Sequence, residues 1–259
     1  MLQELRLFLS AIQFFTRLPV PAWVGHDPQR LAQAARYLPS VGALIGALCA
    51  IALLASARAL PLPVAVLLSM VAGLLITGAF HEDGLSDFAD GLGGGFTREK
   101  ALAIMKDSSI GAYGAISLIL VLLLKYQSLL ALCETNLLLG SAALIASHAA
   151  SRLMAASIMA THDYVREDDS ARAKPAAQRP GAASGAIALA TGIAALLPLY
   201  ATGASATQLA GAIAAAVAMR TYLAWRLTRR LGGYTGDCLG AVQQLTEVSF
   251  YLGLLVHLQ

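Results

Sequence analysis

Residues 62–96 read LPVAVLLSMVAGLLITGAFHEDGLSDFADGLGGGF. The first nineteen, Leu62 to Phe80, carry no charge; the next ten, from His81 to Asp90, carry Glu82, Asp83, Asp87 and Asp90. About 20 apolar residues cross the hydrocarbon core as a helix, and carboxylates are costly in lipid. The stretch therefore reads as a membrane span that empties into an acidic mouth. That reading decides the fold class: an all-α, polytopic integral membrane bundle.

The rest of the chain agrees. Of 259 residues, 58% are hydrophobic and 13% charged, against about 25% charged in soluble domains; the mean hydropathy is +0.67. Seven runs are long and apolar enough to span: roughly 37–57, 62–80, 111–131, 137–159, 183–201, 207–225 and 241–258. None shows the strict alternation of a β-barrel strand. The seventh is the weakest, because Gln243, Gln244 and Glu247 enter it; such a helix is expected to start in a protein-lined cavity. Residues 4–16 place Leu5, Leu9, Ile12 and Phe15 at helical spacing, with Arg6 and Gln13 between them. An interfacial helix is expected there, with a short span as the alternative. The whole chain, 1–259, reads as one membrane domain, its oligomeric state open and a homo-oligomer included.

Fourteen of the 18 Lys and Arg lie in the N-terminal region and in the segments after the second, fourth and sixth runs; the alternate segments hold only Arg58. The bias puts the N-terminus and the longer segments on the cytoplasmic side. Segment 81–110 is then a cytoplasmic active-site loop, and 161–182, with mixed charge and two prolines, a mobile cytoplasmic loop. A net charge of +3 is too small to argue for nucleic acid. Cys49, Cys133 and Cys238 form no CxxC pair and are expected to be buried, inert thiols.

On a helix, Asp83, Asp87 and Asp90 stand at i, i+4 and i+7, within about 60° of one another. No Lys or Arg occurs between 81 and 97, so the face invites a cation. Hard divalent ions take oxygen ligands, and Mg²⁺ combines carboxylates with substrate phosphates. Glu82, Asp83, Asp87 and Asp90 are the candidate metal ligands, against a plain solvated acidic segment. His81 or Asp90 is the candidate general base. The glycines at 91, 93, 94 and 95 suit either a backbone approach to an anion or a hinge. Thr97 is placed to N-cap a short helix, and Lys106, Ser108 and Ser109 offer donors to phosphate.

Arg152 and Arg220 fall inside predicted spans and are expected to face the bundle; His148 shares a face with Arg152. Lys125 is read as snorkelling toward the opposite membrane face. GGYTGDCLGA (232–241) adds Tyr234 and Asp237 as a second site wall.

FFTRLPVP (14–21), HEDGLSDFADGLGGGF (81–96), IMKDSSIGAYG (104–114) and GGYTGDCLGA (232–241) together resemble the cobalamin synthase family, the adenosylcobinamide-GDP ribazoletransferases. The resemblance implies joining adenosylcobinamide-GDP to α-ribazole or its 5′-phosphate, with release of GMP. It further implies Mg²⁺ dependence, a bacterial inner-membrane location and attack by the ribazole 5′-hydroxyl. Lys106, Ser108, Ser109, Arg152, Arg220, Tyr234 and Asp237 would then contact substrate. A large corrinoid would suit a wide cavity among small-residue helices. Two rival readings remain at this level. A CDP-alcohol phosphotransferase would share Asp87-Phe-Ala-Asp90-Gly91 but should carry an Ala-Arg pair, which is absent. A cation transporter should carry its acids mid-span or in repeated halves.

Overall fold

The computed structural model describes residues 2–165 and 181–256. These form α1 Leu2–Phe15, α2 Pro28–Ala34, α3 Leu38–Ser56, α4 Leu62–Thr77, α5 Phe80–Gly94, α6 Arg98–Ile104, α7 Ala112–Thr135, α8 Leu137–Thr161, α9 Ala182–Ala194, α10 Leu197–Ala201, α11 Ala206–Leu231 and α12 Gly236–Leu255. Among the described residues there is no strand, only one isolated bridge between Tyr164 and Tyr234. Most of the expected mobile loop, 166–180, lies outside the described residues.

Local chemistry sets the helix ends. Asn136 separates α7 from α8, and its Oδ1 accepts the Leu138 and Leu139 amides at 2.8 and 3.3 Å. Ser205 and Gln208 form a capping box at the start of α11. Thr97 caps α6, as its sequence position suggested, by accepting the Lys100 amide at 3.2 Å. Proline in the first turn opens α3, α4 and α10, where its missing N–H costs nothing.

Each of the seven apolar runs is helical, but not all qualify as spans. Arg30–Ser56, α7, α8 and Ala182–Ala201 are long and apolar enough to cross a membrane, and α4 with α5 would make a fifth as a bent pair. The expected count of about seven is therefore not reproduced. α11 carries Arg220, Arg226, Arg229 and Arg230, and α12 carries Asp237 and Glu247. Protein surrounds most of α12, so its polar residues need not meet lipid. α1, with 14 residues, reaches only about 21 Å and is too short to span. Its Leu7, Ala11 and Ile12 are buried while Leu2 and Leu5 stay exposed, and Glu4 accepts from Tyr37 at 2.7 Å and pairs with Arg36 at 3.4 Å.

Small residues bring the central helices into backbone contact, as in other membrane bundles. A Cβ at Gly46 or Gly42 of α3 would overlap the α8 backbone near Leu144 and His148. On α5, a Cβ at Gly84 would sit 3.0 Å from Asp237 O, and one at Gly240 of α12 would sit 2.9 Å from His81 O. α5 thereby lies directly on the first turns of α12.

The corner between α4 and α5 turns the chain by 87°. Gly78 and Ala79 make it with left-handed backbone, φ 67° and 58°; Ala79 carries a Cβ there, a strained choice. Arg17 covers this corner: its amide donates to Ile76 O at 2.7 Å, and a Cβ at Gly78 would overlap its guanidinium. Phe14 and Phe15 pack edge-on against Phe80.

Candidate active site

The expected active-site loop 81–110 is, over Phe80–Gly94, the helix α5. Packing requires at least two of the glycines that follow Asp90. Cβ atoms at Gly91 and Gly95 would overlap Met105 and the Ala101 backbone, so these positions let α6 fold back onto α5. Arg230 closes the end of α5, donating to Gly95 O at 2.6 Å and Leu92 O at 3.4 Å.

The four carboxylates part company. Asp90 is buried, and its two oxygens accept the amides of Gly111 at 2.8 Å and Gly114 at 2.9 Å. It thus binds the N-terminus of α7, where backbone donors and the helix dipole favour an anion. Side chains at Gly111 or Gly114 would occupy the carboxylate's place, which accounts for both glycines of IGAYG. Glu82 turns into the bundle, where its Oε1 accepts from Gln244 at 2.8 Å. Asp83 is exposed and Asp87 partly exposed, one helical turn apart. Gly84, between them, touches the Asp237 backbone.

Among the described residues, no three His, Cys, Asp or Glu converge into a metal-holding group. The expected four-carboxylate cage is not assembled, because Asp90 and Glu82 have taken protein partners. Mg²⁺ is commonly held by one or two carboxylates completed by phosphate oxygens. Asp83 and Asp87, one turn apart on the outer side of α5, are two carboxylates of that number.

His81 lies on the opposite face of α5. From Asp83 to His81 is about 160° round the helix and from Asp87 about 120°. It is buried and lines both internal cavities described here, as does Arg152. The first is narrow and aromatic, about 40 Å³, with Phe15, Phe80, Tyr164 and Tyr234 in its walls. The second, about 20 Å³, is bordered by the polar groups of Glu82, Lys125, His148 and Gln244 among apolar neighbours. These hold waters at most, so neither is the wide cavity expected for a corrinoid.

Around the second cavity runs a network that only folding reveals. Lys125 does not snorkel. It is buried, with Nζ 2.6 Å from Glu247 Oε1, because α12 brings an acid to its level and pairing spares both charges a lipid exit. Glu247 is fully buried and also accepts from Gln243 Nε2 at 2.5 Å and Tyr251 OH at 3.4 Å. Gln244 donates to Gln243 Oε1 at 2.8 Å. Arg152 Nη1 lies 3.1 Å from His148 Nδ1 and donates to His148 O at 3.0 Å. Arg152 Nε, Glu82 Oε2 and Gln244 Oε1 are buried with no protein partner, and their residues all line this cavity. Buried polar atoms of this kind are commonly satisfied by buried water. Gln243, Gln244 and Glu247 had stood out as polar in an apolar run; what the sequence did not show was Lys125 as the partner of Glu247.

The remaining expected substrate contacts are dispersed. Arg220 ties α11 to α8, donating to Ser157 Oγ at 2.8 Å, Ser157 O at 3.1 Å and Thr161 Oγ1 at 2.7 Å. Lys106, Ser108 and Ser109 lie exposed between α6 and α7. There Asp107 accepts the Ser109 amide at 3.0 Å, and donors from the Ser109 side chain and backbone hold its carboxyl below the usual range. Tyr234 is buried and pairs by its backbone with Asp163 O at 2.9 Å and the Val165 amide at 3.0 Å. The N-cap of α12 is Thr235, whose Oγ1 accepts the Cys238 amide at 3.4 Å; Asp237 sits in the first turn. All three cysteines are buried, and none forms a disulfide.

Helices of this apolarity around a buried charged network define a multi-pass membrane protein with an acidic pair at the crossing of two helices. The chain belongs to the cobalamin-5-phosphate synthase family, whose model matches residues 7–255. It is similar to the protein named adenosylcobinamide-GDP ribazoletransferase from Shewanella frigidimarina, 47% identical over 254 residues, which cover 98% of this chain and 95% of that protein. Proteins of the same name from Shewanella putrefaciens and Shewanella oneidensis are 46% and 45% identical with the same coverage. No solved structure matches. The chain is an enzyme, a transferase of cobalamin assembly; the phospholipid-type and transporter readings fall away.

Proposed function

We propose that the enzyme joins adenosylcobinamide-GDP to α-ribazole or its 5′-phosphate, giving adenosylcobalamin or its 5′-phosphate and GMP. Family membership supports the substrates. The observation that carries the site is the Asp83–Asp87 pair, one turn apart on α5 against the first turn of α12, with no Lys or Arg between 81 and 97.

Asp83 and Asp87 would hold Mg²⁺ there, with the substrate diphosphate completing its shell. The ion supplies neutralisation of the diphosphate and of the departing phosphate. A ribose hydroxyl attacks the phosphorus bonded to the cobinamide side, and the bond from that phosphorus to the bridging oxygen breaks. GMP leaves with that oxygen, and the hydroxyl proton passes to a carboxylate oxygen of the α5 face. The attacking group is a secondary ribose hydroxyl, not the 5′-hydroxyl. An acceptor that keeps a 5′-phosphate into the product has that oxygen blocked. Lys106, Ser108 and Ser109, on the segment that Asp90 ties to α5, are placed to meet phosphate. Asp90 acts through α7 as a positioning residue, and His81 with Arg152 serves the interior. The Lys and Arg bias supports a cytoplasmic active side in a bacterial inner membrane.

The test is GMP release by the purified protein from adenosylcobinamide-GDP and α-ribazole, with Mg²⁺ or EDTA, for the parent and Asp87→Asn. Release that needs Mg²⁺ and falls at least 100-fold in the variant is expected. Release by a folded Asp87→Asn at parental rate would remove Asp87 from the site.

A further inference from the structure

We propose that the enzyme carries a binding site for the phosphate headgroup of an anionic phospholipid, between α1 and α2 at the membrane boundary and apart from the carboxylate face. The cavity there is about 670 Å³, within the ~300–1,000 Å³ range of small-ligand sites and far larger than the two inside the bundle. Gln3 and Arg6 of α1, Trp23 of the short 3₁₀ turn Ala22–Val24, and Arg30 and Gln33 of α2 supply its donors; Asp27 is its one carboxylate.

Its charge suits a phosphate. Arg30 is balanced by Asp27, with Nε 2.9 Å from Oδ2, and also donates to Val24 O at 2.8 Å. Arg6 has no carboxylate partner among the described residues; its guanidinium lies over the Trp23 ring, 5.5 Å from the centroid. The pocket therefore holds one uncompensated cation, flanked by amide donors.

Its level selects the source of the phosphate. The apolar part of the span Arg30–Ser56 is α3, and the pocket lies on the segment just before it, on the side where α3 would enter the bilayer. Trp and Arg are favoured at this depth. Leu2 lines the pocket and, with Leu5, leaves the exposed edge of α1 apolar, a surface for acyl chains rather than for a soluble anion. The cytoplasmic leaflet, to which the charge bias assigns this end, carries the anionic lipids.

The experiment is native mass spectrometry of the protein in detergent, titrated with phosphatidylglycerol or phosphatidylcholine, for the parent, Arg6→Gln and Arg6→Lys. The parent should retain phosphatidylglycerol preferentially. Arg6→Gln should weaken that binding about fivefold, from about 1 kcal/mol per basic residue near an anionic surface, and Arg6→Lys should restore most of it. Arg98→Gln, exposed on α6 and outside the pocket, should leave it unchanged. Equal retention of both lipids, or an Arg6→Gln variant indistinguishable from the parent, overturns the proposal. A third arm adds inorganic phosphate at millimolar concentration. Displacement of phosphatidylglycerol by phosphate at matching concentration would assign the site to a soluble anion and overturn the lipid. No substrate is used, so the result is independent of the reaction proposed above.

Discussion

Replacing Lys125 by methionine removes the cation at 2.6 Å from Glu247 and leaves a fully buried carboxylate. Removing one partner of a buried pair costs about 3–5 kcal/mol. Glu247 would keep the Gln243 amide and the Tyr251 hydroxyl, with the His148 ring 3.5 Å away. Those donors soften the loss, so the lower end, about 3 kcal/mol, is expected. At about 2–4 °C per kcal/mol for a chain near this size, the apparent melting temperature should fall by roughly 6–12 °C. Adding Glu247→Gln to Lys125→Met removes both charges and should recover most of the loss, since a neutral pair of similar volume is often as stable as a buried ion pair. The assay is thermal unfolding in one detergent for both single variants and the double variant, read as a cycle. If Lys125→Met melts within about 2 °C of the parent, Lys125 reaches the membrane surface instead, and the network is wrong.

Asp90→Ala should cost about 1–2 kcal/mol, because two α7 amides lose their acceptor. Asp90→Asn keeps one acceptor for the two amides, so it should recover only part of that stability, and should retain GMP release within about tenfold; a folded Asp90→Asn with no release would return Asp90 to the chemistry. Gly84→Val should destabilise by about 1–3 kcal/mol by overpacking the α5–α12 contact, whereas Gly185→Ala, with open space around its Cβ position, should be neutral or slightly stabilising in melting experiments. Arg220→Ala should lower stability through its lost bonds to Ser157 and Thr161 with the substrate KM unchanged; a raised KM at unchanged stability would make it a substrate contact after all.

The family and the helical membrane class were legible from the sequence, and for one reason. Apolar length, charge bias along the chain and motif spelling are properties of consecutive residues, and the bilayer acts on them segment by segment. The i, i+4 spacing of Asp83 and Asp87 likewise belongs to one helix. What tertiary structure decided is who partners whom. Asp83, Asp87 and Asp90 look equivalent on an isolated helix. Only the approach of α7, made possible by two glycines 21 and 24 residues further along, withdraws Asp90 from the group. Lys125 looked like a residue reaching for water until α12 presented Glu247 at the same depth. A buried charge is settled by the nearest opposite charge or donor, because hydrocarbon offers no competing partner; that neighbour comes from another helix, at a separation in sequence that no local pattern records.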